Sequence, residues 1–358
     1  MRKLPQFFIC VLLGALISAY AADAPASPPP SADVCVIIGT PGDDSFVDGF
    51  AAAANKWQDN CKLAHASCTV IGLDDEKGAD PDKNTLDHDK VRDWVAALEA
   101  KSTTPVWIVY IGHGTFDGKD ARMNLRGVDI SATEMATMLK NVKRPLVFVD
   151  GGSCSAPFIN ALSAPNRIII SATQTGREVN YARFGEQFAV AITDPAADLD
   201  QDGQVSVLEA FVTAEQRVQD FYSENDRMAT EHALIDDNGD KRGTPANFFQ
   251  GTRLIRQPQG NVEPDGEFSR NFALVTTAAE RALTDEQRSL RSVLESQIES
   301  LRAQKENLGE NEYYTKLEAL MRQLQPIYVK TPTTDAAPAP APAAASGAPA
   351  ATSTSPAQ

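Results

Sequence analysis

Residues 106–111 read VWIVYI and are followed directly by Gly112-His113-Gly114, and this stretch decides the fold. Six consecutive apolar or aromatic residues, four of them β-branched, predict a strand that is covered on both faces. Such strands belong to parallel sheets, whose crossover connections place helices on both sides. The stretch therefore predicts an α/β fold in which His113 lies just beyond the carboxyl end of a central strand.

Further apolar runs on both sides of this strand repeat the pattern. Strands are predicted at 34–38, 68–73, 146–149 and 167–172, and helices at 46–57, 89–100 and 184–192. Ser131-Ala132-Thr133-Glu134 has the form of a capping box and predicts the start of another helix. Strands that alternate with helices predict a three-layer sandwich, with a mostly parallel sheet between two layers of helices.

The C-terminal part of the chain has a different pattern. Leucines recur at near-heptad spacing from Leu290 to Leu308, Gly309 interrupts them, and a second helix over 313–324 is expected to end at Pro326. We expect a helical hairpin, which either packs on the sheet domain or mediates self-association. The predicted organisation is an α/β domain at 33–260, a helical region at 261–330 and a Pro/Ala-rich disordered tail at 331–358.

The N-terminus and the charge of the chain indicate where the protein is found and which partners it avoids. Arg2 and Lys3, the apolar run 7–19 and Ala19-Tyr20-Ala21 predict a signal peptide at 1–21, followed by a Pro/Ala-rich linker at 22–32. The protein is therefore expected to be exported, to the periplasm or the medium, with no membrane span after cleavage. A net charge of −15 argues against a nucleic-acid partner, because phosphate contacts need a basic surface.

Four cysteines follow the predicted signal peptide: Cys35, Cys61, Cys68 and Cys154. An exported protein meets oxidising conditions, so Cys61 and Cys68 either form a local disulfide or remain two thiols. A zinc site is not expected, because the sequence contains no C-x-x-C pair and only four histidines.

Residues 198–209 read DLDQDGQVSVLE and match the twelve-residue calcium loop of an EF-hand. Calcium takes six to eight oxygen ligands, and Gly203 at loop position six permits the sharp turn. The predicted Ca²⁺ ligands, at loop positions one, three, five, seven, nine and twelve, are Asp198, Asp200, Asp202, Gln204 through its carbonyl, Ser206 and Glu209. If Glu209 acts as a ligand alone, Glu209→Gln should lower stability only in calcium.

A second acidic stretch, Asp236 to Asp240, begins like the calcium loop but has no closing Glu. It is expected to form a tight turn in which side-chain oxygens accept hydrogen bonds from nearby N–H groups.

A candidate catalytic dyad follows from the strand ends. His113 follows one strand and Cys154 follows the next one, in Asp150-Gly151-Gly152-Ser153-Cys154. Ends of adjacent parallel strands meet at one edge of the sheet, where ligands bind. A histidine there can move a proton, a cysteine can attack as its thiolate, and the N–H of Gly114 can steady an oxyanion.

In these residues the chain resembles the caspase/legumain/gingipain class of cysteine peptidases, over about 33–251. His113-Gly114 corresponds to the His-Gly pair of that class, and the segment 171–176 resembles the one that lines its specificity pocket. The resemblance implies a caspase-like sandwich and a Cys-His endopeptidase that acts on a peptide or protein. Gly152 stands where the class has its cysteine, and Cys154 comes two residues later. The alternative is therefore a catalytically inactive, calcium-stabilised binding protein with the same fold.

Overall fold

The computed structural model describes residues 30–73, 86–98, 100, 102–256 and 264–329. The predicted signal peptide, most of the linker and the Pro/Ala-rich tail lie outside these residues. The strands are β1 (Asp33–Ile38), β2 (Ser67–Ile71), β3 (Val106–Ile111), β4 (Gly114–Phe116), β5 (Ala121–Met123), β6 (Ile130–Ser131), β7 (Leu146–Asp150), β8 (Arg167–Ser171), β9 (Leu234–Asp236), β10 (Thr244–Pro245), β11 (Phe249–Gln250) and β12 (Arg253–Leu254).

The central sheet has seven strands in the order β10-β9-β8-β7-β3-β1-β2. The five strands from β8 to β2 are parallel to one another, and β9 and β10 add an antiparallel edge. The strand quoted first in the sequence, β3, lies in the middle of the sheet between β1 and β7. This position explains why all six of its residues are buried.

The helices are α1 (Val47–Ala64), α2 (Asp87–Ala96), α3 (Ala132–Met138), α4 (Ala156–Leu162), α5 (Phe184–Ala191), α6 (Val207–Glu224), α7 (Glu267–Arg270), α8 (Ala278–Arg281), α9 (Asp285–Ala303) and α10 (Glu310–Val329). Side chains of α1, α5 and α6 form one apolar cluster with the sheet, and those of α2, α3 and α4 form another on the opposite face. The predicted α/β class, with a mostly parallel sheet covered on both faces, is confirmed.

Successive residues of β1 and β3 contribute to opposite clusters, as the two-residue period of a strand requires. Trp107 and Val109 face the cluster of α1, α5 and α6, whereas Ile108 and Tyr110 face the other one. Because both sides of the sheet are covered, neither set can be polar. The sequence shows this as an unbroken apolar run.

Two local predictions differ from the structure, and one small sheet was not predicted. The helix of the capping-box pattern begins at Ala132 and Ser131 caps it, but the carboxylate of Glu134 bonds to His88 (2.7 Å) instead of the cap. The C-terminal helix continues through Pro326 to Val329. Proline inside a helix costs about 3 kcal/mol. Burial of Leu324 and Ile327 against the preceding helix offsets this cost. Finally, residues 114–131 form a small antiparallel sheet, β4-β5-β6, which the sequence did not indicate.

The predicted helical hairpin is present as α9 and α10. These helices bury an apolar cluster of their own, made of Leu294, Ile298, Leu324 and Ile327. Within the part of the chain that the structure describes, no helix combines the length and the apolar character needed to cross a bilayer.

The structure brings Cys61 and Cys68 together as thiols. Cys61 lies on the last turn of α1 and Cys68 on β2, and the chain turns back between them through a hydrogen bond from the Ala66 N–H to the Cys61 carbonyl (2.9 Å). A hydrogen bond between the thiols raises the pKa of Cys61 and lowers that of Cys68. The buried thiol of Cys35 has a raised pKa because burial disfavours its thiolate.

We therefore predict that oxidised glutathione converts Cys61 and Cys68 into a disulfide. Alkylation after denaturation should modify two fewer thiols, and the chain-entropy model gives a gain of about 2.5 kcal/mol in unfolding free energy for this short loop. Intact-mass measurement and thermal melts, with Cys68→Ser as the control, check this. Oxidation that consumes Cys35 or Cys154 first would contradict it.

Candidate functional site

The first candidate site lies where β3 and β7 end beside each other. The two strands pair in parallel, with Tyr110 opposite Asp150, so the loops that follow them meet. The Tyr110 hydroxyl donates to the carbonyl of His113 (2.6 Å) and also lies 3.1 Å from that of Asn124. Tyr110 therefore holds the His113 loop in place. The signal for this role was a single hydroxyl in an otherwise apolar strand.

His113 is half-buried in an aromatic setting at this edge. Its ring lies 4.7 Å from that of Phe46 and 5.5 Å from that of Tyr181. Nε2 is 3.1 Å from the carbonyl oxygen of Pro41, which can only accept a hydrogen bond. Nε2 therefore carries the proton, and Nδ1 is the nitrogen that can accept one.

Cys154 is buried at the same edge, with 1% of its surface exposed. Its backbone has φ +60°, and its N–H donates to the carbonyl of Glu178 (2.9 Å). Burial, together with the nearby carboxyl of Asp150, raises the pKa of the thiol. Among the described residues no hydrogen bond joins Cys154 to His113. The raised pKa disfavours the thiolate, which is the nucleophilic form of a cysteine.

The N–H of Gly114, the predicted oxyanion donor, already has a partner. It donates to the hydroxyl of Ser153 at 2.9 Å. A Cβ added to Gly114 would lie 2.1 Å from the carbonyl oxygen of Ser153, so the two loops are in direct backbone contact. An incoming carbonyl would have to displace Ser153 before it could use this donor.

The segment 171–176 contacts the chain next to Cys154 through hydroxyl groups. The hydroxyls of Ser155 and Thr173 lie 3.2 Å apart, and the Thr173 N–H donates to Ser155 Oγ. Gln174 donates its N–H to the carboxylate of Glu178, which also bonds to His232. Ser155 therefore serves as a structural partner in this loop.

Gly152, the position at which the resembling class has its cysteine, is enclosed. A Cβ there would lie 2.8 Å from the ring of Tyr110, 3.1 Å from Asp150 Oδ1 and 3.2 Å from the carbonyl oxygen of Gly112. A side chain larger than hydrogen therefore requires the surrounding atoms to move.

We predict that Gly152→Cys destabilises the protein by about 1–3 kcal/mol through overpacking. It should create no thiol whose labelling depends on His113. Thermal melts and mass spectrometry after treatment with an acyl-reactive thiol probe check this. Thr115→Cys, at an exposed position nearby, serves as the control. A stable, rapidly labelled Gly152→Cys variant would contradict the prediction.

The second candidate site is the loop 198–209, between α5 and α6. One carboxylate oxygen from each of Asp198, Asp200 and Asp202 lies within 4.8 Å of the others. The Asp198 carboxylate accepts the N–H groups of Asp202 (3.1 Å) and Gly203 (3.0 Å), which curls the loop around it. Gly203 has φ +88°, the conformation for which glycine was expected there. The loop thus gathers three of the six predicted ligands.

Glu209, the predicted bidentate ligand, makes hydrogen bonds within the loop. It is 1% exposed, and its two oxygens accept four hydrogen bonds. Oε1 accepts the N–H groups of Leu199 (2.8 Å) and Asp200 (3.1 Å), and Oε2 accepts the N–H and the hydroxyl of Ser206 (both 2.8 Å). Ser206 and Glu209 form a capping box at the start of α6, so Glu209 ties both ends of the loop together.

The carboxylates of the loop act on one another. The pKa of Asp200 is raised to about 6, first because protein surrounds part of the carboxyl and next because Glu209 and Asp202 lie close to it. The side chain of Gln204 also bonds to a residue outside the loop. Its Oε1 accepts the N–H of Thr277, in the segment that leads to α8, at 3.1 Å. The sequence contained no signal for this contact.

The second acidic stretch forms the expected turn. Asp236 Oδ1 accepts the N–H of Gly239 (3.0 Å), and Asn238 Oδ1 accepts that of Asp240 (2.8 Å). The adjacent Asp237 carboxylate accepts the N–H groups of Gly266 (2.9 Å) and Ser269 (2.7 Å). These carboxylates organise the chain locally.

Neither a protein-family description nor a curated protein sequence matches this chain. Among solved structures it is similar to the initiator caspase Dronc of Drosophila, with 11% identity and a TM-score of 0.39 over 60% of this chain and 83% of that one. It is also similar to caspase-1 of Spodoptera frugiperda, with 11% identity and a TM-score of 0.38 over 57% and 85%.

Proposed function

We propose that this protein is an exported calcium-binding protein that uses a peptidase-type α/β domain for binding rather than for cleavage. The observation that carries the proposal is the group of three carboxylates from Asp198, Asp200 and Asp202. Three negative charges gathered in one short loop repel one another unless a cation neutralises them.

The chemistry of the loop favours calcium among the common cations. Its donors are all oxygens, from the three carboxylates, the Gln204 carbonyl and the Ser206 hydroxyl, and hard cations prefer such ligands. A loop of six or more oxygens on a flexible backbone suits calcium, whereas magnesium keeps several waters in a strict octahedron. Export supports the same choice, because calcium is abundant outside cells, where single loops that bind with Kd of about 10⁻⁴ to 10⁻³ M are useful.

The strand-end site supports binding better than peptide hydrolysis. A cysteine peptidase needs a thiolate next to its base and a free oxyanion donor. Here the Cys154 thiol is buried with a raised pKa, and the N–H of Gly114 is bonded to Ser153. The ligand class that the resemblance implies, a peptide or a protein, remains part of the proposal.

Calorimetric titration of metal-stripped protein with calcium tests the proposal. We expect one site with Kd of about 10⁻⁴ to 10⁻³ M. Asp200→Asn is the matched variant, because it removes a charge but keeps the oxygen that accepts the Asp202 N–H (3.3 Å). It should weaken binding at least tenfold and remove the rise in melting temperature that calcium produces. No heat with millimolar calcium would overturn the proposal.

An acyl-reactive thiol probe tests the absence of catalysis. We expect no labelling of Cys154 in the folded protein. Labelling that is lost in Cys154→Ala and reduced in His113→Ala would instead support the Cys-His peptidase.

Mass spectrometry of the protein recovered from its source tests export, with a mature chain expected to begin at Ala22.

A further inference from the structure

The helical hairpin of α9 and α10 has an apolar core of its own. Its apolar cluster, Leu294, Ile298, Leu324 and Ile327, is separate from the two large clusters on the sheet. A cavity of about 1070 Å³ lies between the hairpin and the amino-terminal edge of the sheet. The hairpin therefore does not share the core of the α/β domain, and the segment that joins the two contributes to fixing its position.

That segment, residues 272–277, runs along the calcium loop. The N–H of Val207 donates to the carbonyl of Phe272 (2.7 Å), and Ser206 forms an antiparallel bridge with Ala273. The Thr277 N–H then donates to Gln204 Oε1 (3.1 Å), and the Thr277 hydroxyl caps α8. Thr277, the residue just before α8, is thus bonded to Gln204 of the loop.

The base of the hairpin, where the end of α10 lies beside the start of α9, also faces the loop. Asp202 lines the same cavity as Tyr328, near the end of α10, and as Arg288 and Arg291 of α9. Tyr328 donates its hydroxyl to Glu295 (2.7 Å), which keeps the two helices together at this end. The joining segment and the base of the hairpin therefore both lie toward the loop.

We propose that calcium in the 198–209 loop fixes the hairpin on the α/β domain, with Gln204 as the link. This inference rests on the proposed calcium site. The backbone carbonyl of Gln204 occupies loop position seven and would face the ion, while its side chain accepts the Thr277 N–H and donates to Asp202 Oδ2 (3.3 Å). When the ion orders the loop, the Gln204 acceptor is held in place for the Thr277 N–H. Without the ion the loop samples more conformations, and in fewer of them does Gln204 reach Thr277.

Limited proteolysis of the full chain tests the coupling. Trypsin cleaves after lysine and arginine, and the hairpin supplies sites such as Arg288, Arg302, Lys305 and Lys316. The rate of cleavage in 278–329, located by mass spectrometry, is compared in chelator and in calcium at a concentration that calorimetry shows to be saturating. We expect calcium to slow it at least tenfold.

Two variants at one position isolate the link. Gln204→Ala keeps the backbone carbonyl but loses the acceptor, so calcium should protect the hairpin less than twofold. The loss of calcium affinity in this variant should not exceed the factor by which calcium slows cleavage of the wild type. Coupling is reciprocal, so the hairpin contact strengthens calcium binding by no more than calcium strengthens that contact. Gln204→Glu keeps an acceptor oxygen for the Thr277 N–H but loses the donor to Asp202, and in saturating calcium, which neutralises the added charge, it should retain the protection. Gln216→Ala, on the exposed face of α6, should behave as the wild type.

The outcomes separate the two proposals. Absence of calcium binding in calorimetry would refute the calcium site itself. Calcium binding without a change in cleavage rate would refute only the coupling. Full protection in Gln204→Ala would also refute it, because the hairpin would then be held by other contacts.

Discussion

Asp150→Asn is expected to reduce the fall in stability that the protein undergoes between pH 5 and pH 8, by removing the contribution of one buried carboxyl. Asp150 is 2% exposed at the carboxyl end of β7, and its burial raises the pKa of the carboxyl to about 8. Between its ordinary pKa and pH 8, the folded state therefore holds a proton that the unfolded state has lost. In this range unfolding releases a proton, so the free energy of unfolding falls as the pH rises, by at most about 1.4 kcal/mol per pH unit.

Asparagine has the same shape, carries no charge and keeps the oxygen that accepts the Gly152 N–H (2.9 Å). At pH 5 the variant should match the wild type within about 1 kcal/mol. At pH 8 it should be the more stable protein, by up to about 4 kcal/mol, since the buried carboxyl contributes over three pH units. Denaturant unfolding at both values measures this. Parallel profiles for the two proteins would contradict the prediction.

Other buried acids contribute to the slope of the wild type and provide a control. Burial raises the pKa of Glu215 to about 7 and that of Asp265 to about 8. The difference between the two proteins isolates Asp150, because these groups are unchanged in the variant. Asp220→Asn, at an exposed position of α6, should leave the profile as it is.

Glu209→Gln is expected to lower the free energy of unfolding by about 2–4 kcal/mol, in calcium and in chelator alike. The carboxylate accepts four hydrogen bonds from Leu199, Asp200 and Ser206 within the loop. A glutamine replaces one acceptor oxygen with a donor, so two buried donors lose their partner. Each such loss costs about 1–3 kcal/mol.

This expectation replaces the one drawn from the sequence, in which Glu209 serves only as a ligand and its loss matters only in calcium. Guanidinium unfolding in both conditions decides between them, with Glu224→Gln at the exposed end of the same helix as the control. A loss of stability confined to calcium would show that Glu209 acts through the ion. Asp200→Asn is the cleaner probe of the ion, because Asp200 accepts only one long hydrogen bond in the loop.

Much of the architecture could be predicted from the sequence because it depends on patterns within single segments. The strand at 106–111 was located to the residue, and its buried neighbours to within one or two residues. The predicted end of the last helix was wrong, because the burial of Leu324 and Ile327 outweighs the free-energy cost of Pro326 inside the helix. The sheet β4-β5-β6 was missed because each strand has only two or three residues, too few to show a period.

The candidate sites divide in the same way. The sequence located His113 and Cys154 at adjacent strand ends, and the pairing of β3 with β7 confirms that these ends meet. It did not indicate that Ser153 takes the N–H of Gly114 or that Gly152 has no room for a side chain. The bond from Gly114 to Ser153 joins residues 39 positions apart in the sequence. The lack of room at Gly152 depends on how closely neighbouring loops pack.

By itself the sequence determined the α/β alternation, the strand ends that carry His113 and Cys154, and the loop that gathers Asp198, Asp200 and Asp202. Each of these follows from periodicity or from ligand spacing inside one short segment. Only the tertiary structure decided that the Cys154 thiol is buried and that Gln204 reaches Thr277. Burial and partner choice depend on what distant segments place nearby, and no local pattern encodes that.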